Sequence, residues 1–539
     1  MNSRDFWRRR RASRASRTGG FCRTLQFRVS SCNNPEGGLS RARMLGRQGH
    51  ARRRGRPMRK SLPHRLLAPG LLALATSACA NVPADAGFSG ISEVVSSRTG
   101  AAPVWPRTDA GRAEAMAAAD EILAGRVGMD EAVALAFLSS PRLQAELEEL
   151  GIARAELVSA LLPPNPFVEV TRPARGNLLE LEVSASLLDF LFWPQRARAG
   201  RAGMEAAQAR ATASLAEAAA EVRIAFIDHV AARQALDLYR QAEAAGQAAQ
   251  LAAEALFDAG NIAQVDYDRQ RQFAAQMIAE RMKAEAEIGP TREHLVAVLG
   301  LTAEQAEKLQ LAPRLPSPGE APLDSERLVR AAMSDSLQLA AAEADLKQLA
   351  ASRGVRNVGA LLGDLEFGAS FERDGSWSDE SYTLGFSLPV DLGIAGRQRV
   401  ASEFRQAMQT LQQTRLDSLA DVRSAAQRAE SARALALFHR DVSLPVSAEV
   451  FDGVVRDFNA MQIGMFELLQ ARRERVDAGR DYLDAVAAYW RSHADLERHV
   501  RVSEFEAADM AETGHIHPPE ENDPAGMEPG HQQHEGHGH

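Results

Sequence analysis

Six of the thirteen histidines fall at the C-terminal end: His515, His517, His531, His534, His537 and His539, with Met527 among them. Neutral imidazoles are good ligands for transition-metal ions. Histidines interspersed with Gly, Glu and Gln read as a loose metal-capturing tract rather than a fixed site. The run HEGHGH is not a metalloprotease helix, because Gly538 stands where the second His of H-E-x-x-H is required. A second group of candidates is acidic. Asp258, Asp266 and Asp268 cluster at one short break in the pattern, and Asp457 and Glu467 at another. Carboxylates placed this way either attract cations or simply solvate an exposed face. No P-loop, no G-x-G-x-x-G on a strand–helix unit and no G-x-S-x-G is present, so the chain is not read as an enzyme.

The chain has 539 residues and a formal net charge of −8. That value hides two unlike parts. Residues 1–57 carry 16 Arg, no Lys and almost no acid, without a periodic apolar pattern. A basic nucleic-acid arm is one reading; the other is that translation starts at Met58 and the upstream residues are not part of the protein. The stretch after Met58 favours the second. Residues 58–78 are laid out as a secretory signal peptide: Arg59, Lys60 and Arg65, then an apolar run from Leu66 to Ala75, then small residues. Thr76-Ser77-Ala78-Cys79 resembles a bacterial lipoprotein signal, which makes Cys79 the candidate lipidation site; simple cleavage near Ala78 or Ala80 is the alternative. Cys22 and Cys32 lie upstream of the cut, so no disulfide is expected in the exported body. Without residues 1–78 the net charge is near −25, which argues against nucleic acid as a partner.

The elements that must position these residues come twice. Residues 79–127 read as an extended N-terminal leader. The first unit, 128–309, opens with helix from Met129 to Pro163, unbroken or interrupted near Pro141. A strand pair follows, Phe167–Thr171 and Leu178–Leu188, turning through Pro173 to Asn177. A long helix runs from Gln195 to Phe257, with Val222, Phe226 and Val230 on one stripe. It breaks at Asp258 to Asn261, with Gly260 as the stop, and returns from Ile262 to Ile288 ahead of Gly289-Pro290, with a resumption through Leu299 left open. Residues 310–322 form a Pro-rich linker. The second unit, 323–507, repeats the order: helix from Leu323 to Leu362, a hairpin within Gly363–Val390, a long helix from Gly396 to Val455, a break from Phe458 to Gly464, and a return helix to Glu504. Residues 508–539 are the His-rich, disordered tail. The two breaks align place for place, FDAGNIAQVDYDRQRQ from Phe257 with FNAMQIGMFELLQARR from Phe458. His229 and His439 sit in helical patterns and read as structural.

The hairpin alternates strictly. Leu365, Phe367, Phe371, Tyr382, Leu384, Phe386 and Leu388 fall on one face; Glu366, Glu372, Thr383 and Ser387 fall on the other. Asp374 to Asp379, with Trp377, reads as the connecting loop. Each arm is about ten residues, the length of a tilted bilayer-crossing strand. Four such strands cannot stand alone in lipid, because open edges leave unpaired backbone groups, nor can they close a barrel. Several copies must therefore contribute strands jointly, while the helices, too polar and too long to lie in lipid, project and pack as coiled coils. The expected fold is mainly α with a β-barrel part: a duplicated unit of helix, strand pair and long helical hairpin.

These features resemble the TolC family of outer-membrane efflux channels over roughly residues 128–500. The resemblance is carried by the duplication, AFLSSPRLQAE with Pro141, the Ala-Gly-Arg runs at Gly200 and Gly396, and the two break motifs. FNAMQIGMFELLQARRE, Phe458 to Glu474, is similar to the heavy-metal branch, represented by CusC and CzcC. The resemblance implies a homotrimer with a 12-stranded transmembrane barrel, four strands per chain, and a periplasmic helical tunnel. It also implies a periplasmic adaptor protein, an inner-membrane pump of the resistance-nodulation-division type, outer-membrane lipid around the barrel, and no cofactor beyond metal ions held by the tail. Under it the helix breaks become periplasmic tips and Asp258, Asp266, Asp268, Asp457 and Glu467 candidate gate residues. The implied function is passive efflux, with transition-metal cations as substrate. A drug or organic-solute duct is the alternative within the class; a pore-free periplasmic coiled-coil scaffold lipoprotein is the alternative outside it.

Overall fold

The computed structural model describes residues 82–172, 178–362, 365–374, 377–386 and 393–500. The basic segment, the signal peptide with Cys79, the six tail histidines, and Ser387 and Leu388 lie outside the described residues. Residues 82–127 differ from the extended leader expected: they hold two helices, α1 (Phe88–Thr99) and α2 (Asp109–Leu123). The Ala-rich run from Ala113 overrides the scattered Gly and Pro, and Thr108 caps α2 by accepting from the Gly111 amide at 3.1 Å. Ile91, Val95, Ala119 and Leu123 bury their side chains in the main core.

Pro141 divides the next helix into α3 (Met129–Ser139) and α4 (Pro141–Leu161). The strands β1 (Phe167–Thr171) and β2 (Leu178–Ser186) follow. β2 stops at Ser186, short of Leu188, because the Ser186 side chain accepts from the Asp189 amide at 3.3 Å and starts α5 (Leu187–Asp258). Its 72 residues span about 108 Å at ~1.5 Å per residue. Val222, Phe226 and Val230 are buried on it as the pattern predicts, beside many alanines that let neighbouring helices approach closely. The return helix α6 (Gln264–Leu299) runs through Gly289-Pro290 without stopping. Gly289 removes the Cβ that would crowd the following proline, and the Thr291 hydroxyl donates to the Glu287 carbonyl at 2.7 Å. A short α7 (Ala303–Lys308) leads to the linker, where Leu311 and Leu315 are buried and Leu311 bridges to Val127.

The second unit repeats this plan with α8 (Ser325–Asp335), α9 (Leu337–Leu362), β3 (Leu365–Asp374), β4 (Trp377–Phe386) and α10 (Ile394–Phe438). The helix expected to run unbroken to Val455 instead widens into a π-turn over His439–Ser443 before α11 (Leu444–Asn459). Pro445 has no N–H to complete the α-type ladder behind it, which is a known cause of such irregularity. The last helix, α12 (Met465–Glu497), ends before Glu504. Among the described residues no helix is long and apolar enough to cross a membrane.

The four strands form one antiparallel sheet in the order β1-β2-β3-β4, so the two units meet at the β2–β3 pair. Asp374 pairs with Trp377, which makes the connection tighter than the Asp374–Asp379 loop expected. Directly paired residues share a face. Val170, Leu181 and Phe371 therefore stand together, as do Val183, Ala369 and Tyr382, and Phe367 and Leu384. This apolar face is solvent-facing within one chain: Tyr382, Leu384 and Phe386 are each more than 60% exposed.

Both helix breaks close by the same hydrogen-bonded turn. Gly260 N donates to Phe257 O and Asn261 N to Leu256 O, both at 2.8 Å; Met461 N donates to Phe458 O and Gln462 N to Asp457 O, both at 2.9 Å. The turn needs a left-handed residue. Gly260 has φ +72°, whereas the second unit places Met461 at φ +56°. Relieving that conformation is worth about 1 kcal/mol, or about fivefold in local opening. Met461→Gly should therefore raise amide protection around Gln462 in hydrogen exchange, and Gly260→Val should lower it around Asn261. On the sheet, Phe386→Arg should block membrane assembly, since Arg on a lipid face costs about 2–4 kcal/mol at mid-bilayer. Thr383→Arg on the opposite face should assemble and change conductance; fractionation and single-channel recording separate the two.

Candidate functional site

The polar face of the sheet collects most of its chemistry. Strand pairing sets Thr171, Glu180, Glu372 and Asp379 in one row across all four strands. The adjacent row on that face is Glu169, Glu182, Ser370 and Ser381, with the two serine hydroxyls 2.6 Å apart. Glu366 stands opposite Ser186 one end further. With Asp374, which shares the parity of Glu366 and Glu372 on β3, seven carboxylates share a face on which the described strand residues include no Lys or Arg; Arg373 belongs to the apolar side. Like charges directly opposite in a sheet destabilise it, so folding stability does not account for Glu180, Glu372 and Asp379 standing side by side. Sequence alternation identified Glu366 and Glu372 as polar-face residues but not the row, which requires the β2–β3 register.

The two tips are neighbours. The Arg269 guanidinium of α6 lies 5.2 Å over the Phe466 ring of α12, and Phe257 stacks on Tyr267 at 5.4 Å across the first turn. The five tip carboxylates are not equivalent. Asp266 pairs with Arg269 at 3.2 Å and Asp268 with Arg271 at 3.4 Å, each within one helical turn. Asp258, Asp457 and Glu467 are exposed and have no basic partner among the described residues. The uncompensated charge at the tips therefore lies on these three.

A buried ionic knot fixes the middle of the helical body. The Arg223 side chain, 5% exposed, pairs with Glu497 and with Asp130 at 2.9 Å, and donates to the Thr99 carbonyl at 3.0 Å. Burial opposes the charged guanidinium, but the Glu497 and Asp130 carboxylates outweigh it and raise its pKa; burial raises Glu497. His493 stands 3.5 Å from Glu497. One residue thus joins α1, α3, α5 and α12, and removing one side of such a buried pair costs about 3–5 kcal/mol. His229 is buried against Thr291 at 3.0 Å; burial, then Arg233 and Arg292, lower its pKa to about 4, so it is neutral at pH 7, a structural residue as the pattern suggests. Among the described residues no group of three or more His, Cys, Asp or Glu is arranged to hold a metal ion.

No protein-family model matches the chain. The cobalt-zinc-cadmium resistance protein CzcC of Cupriavidus metallidurans is 24% identical over 388 residues, covering 70% of this chain and 90% of that protein. Among solved structures, CusC superposes with a TM-score of 0.56 at 14% identity, covering 68% of this chain and 90% of that one. The outer membrane protein VceC of Vibrio cholerae superposes with a TM-score of 0.58 at 11% identity, covering 69% and 96%. The duplicated helical hairpins and the shared four-stranded sheet thus resemble the fold of solved outer-membrane channels, and the sequence is similar to CzcC along nearly that protein's whole length.

Proposed function

We propose that three copies of the chain form the outer-membrane duct of a tripartite efflux system and that the duct passes transition-metal cations. The observation that supports a cation is the acidic face of the sheet. Closing four-stranded sheets from three copies into one barrel would turn apolar residues to lipid and set the rows through Glu180, Glu372 and Asp379 around the lumen. Rings of carboxylates favour cations over anions, and a lumen of one charge sign raises the local cation concentration. The open edges of β1 and β4 would pair between copies, leaving no unpaired edge in hydrocarbon. A pore-free scaffold has no use for the exposed apolar face.

The relative from Cupriavidus metallidurans is named for cobalt, zinc and cadmium resistance, and we assign this chain the same class of divalent cargo. The chain has no nucleotide site motif, so energy would come from an inner-membrane pump acting through a periplasmic adaptor at the tips. Asp258, Asp457 and Glu467, free of arginine partners among the described residues, are the carboxylates best placed to form a cation-attracting ring there. The tail histidines, outside the described residues, would capture metal loosely. Two measurements test this reading. Deleting the gene should lower tolerance to divalent transition metals; unchanged metal tolerance with new drug sensitivity would assign the duct to organic solutes. In planar bilayers, Glu372→Gln with Asp379→Asn should lower the cation-to-anion permeability ratio several-fold, and an unchanged reversal potential would remove the acidic face from the selectivity.

A further inference from the structure

The first turns of α5 carry a surface that conduction does not use. β2 ends at Ser186 and the helix starts at once, so Leu187 continues the parity of the apolar-face residues Leu181 and Val183. Leu187, Phe190 and Leu191 are 40, 45 and 65% exposed. At about 100° per residue they share one stripe with Pro194, and the same stripe continues into Arg198 and Arg201. Both arginines are exposed, and neither has a hydrogen-bond or ion-pair partner among the described residues. The acid of this stretch does not neutralise them: Asp189 lies on the opposite side of the helix, paired with Arg196 at 3.3 Å. The stripe is therefore graded along its axis, apolar next to the sheet and cationic beyond it.

That gradient matches a bilayer boundary. Arg198 lies about 10 Å along the helix from Leu191, and helical side chains lean back toward the N-terminus, here toward the sheet. Long basic side chains then reach the headgroup band, which is about 5–7 Å thick on each side of the hydrocarbon. A guanidinium binds phosphate oxygens in a two-pronged fork. In the second unit the described part of helix α10 starts at Ile394, the position corresponding to Arg198, and Arg397, the counterpart of Arg201, donates to the Gly393 carbonyl at 3.4 Å.

We propose that Leu187, Phe190 and Leu191 extend the barrel's lipid contact onto the helix and that Arg198 and Arg201 bind the phosphates of anionic phospholipid in the periplasmic leaflet of the outer membrane. The surface is continuous with the apolar face of the sheet and complementary in charge to such headgroups. The proposal rests on the outer-membrane placement of the barrel but not on which solute passes, and conductance of the same preparation reports the channel separately.

The test uses the full assembled channel in nanodiscs of phosphatidylethanolamine, with and without phosphatidylglycerol. Phosphatidylglycerol should raise the thermal midpoint of the wild type and co-purify with it in native mass spectrometry. Arg198→Gln with Arg201→Gln should lose at least half of both effects. The charge-conserving Lys pair should keep most of them, and Arg233→Gln, about 48 Å further along α5 than Arg201, should keep them all. Four results would overturn the proposal: an unchanged lipid response in the Gln pair, an equal loss in Arg233→Gln, the same stabilisation by inorganic phosphate without phosphatidylglycerol, or dissociation of the Gln pair into single chains in both lipids. The last would place these arginines between copies rather than against lipid.

Discussion

The antiparallel register between β2 and β3 is the constraint on which the rest depends. These strands come from different halves of a duplicated chain, yet Leu181 must meet Phe371, and Glu180 must meet Glu372. The side-chain period of a strand is two residues, so a slip of one would carry Glu180 and Glu182 to the apolar face and Leu181 and Val183 to the acidic one. An apolar exterior and an acidic interior are therefore a single decision made at one strand pair. The helices inherit it, because α5 and α10 leave the sheet from the ends of β2 and β4.

Duplication explains how one chain builds such a sheet. Each half supplies one hairpin with an unpaired edge and one helical hairpin about as long as the other. The halves lock at the β2–β3 seam and at the tip contact between Arg269 and Phe466. Between these points the body is held by alanine-rich helix contacts and by Arg223, whose buried guanidinium meets Thr99, Asp130 and Glu497. The halves are not copies in detail. Gly260 and Met461 occupy the same left-handed turn position with different ease. Pro290 is absorbed without a break while Pro445 forces a π-turn. At the barrel end, Arg198 and Arg201 of α5 have no partner among the described residues, whereas Arg397 of α10 donates to the Gly393 carbonyl.

The division of charge also follows from position. Carboxylates within a turn of an arginine, such as Asp266 and Asp268, are neutralised in local pairs. Those at helix ends or on strands without basic neighbours keep their field. Asp258, Asp457 and Glu467 at the tips, and the row through Glu372 on the sheet, are of this second kind. In the proposed cation duct, negative charge would be met at the tips and again within the barrel.

Much of this was legible in the chain of letters. Period-two alternation from Leu365 to Phe386 determined which side chains share a face, and the repeat at Phe257 and Phe458 determined that the unit occurs twice, because both patterns are local. The family likeness followed from their order. Capping and proline geometry were legible only in part: Ser186 ended a strand early, the alanine run after Asp109 made helix where a loose leader was expected, and Pro445 changed a helix that composition alone would leave straight. The partners of charged groups were not legible at all. Which acid faces Glu372, which tip carboxylates an arginine cancels, and that Arg223 gathers Thr99, Asp130 and Glu497 all depend on contacts between side chains that sequence order does not place together. Local periodicity sets the direction in which a side chain points; only the packed helices and the strand register decide what it meets.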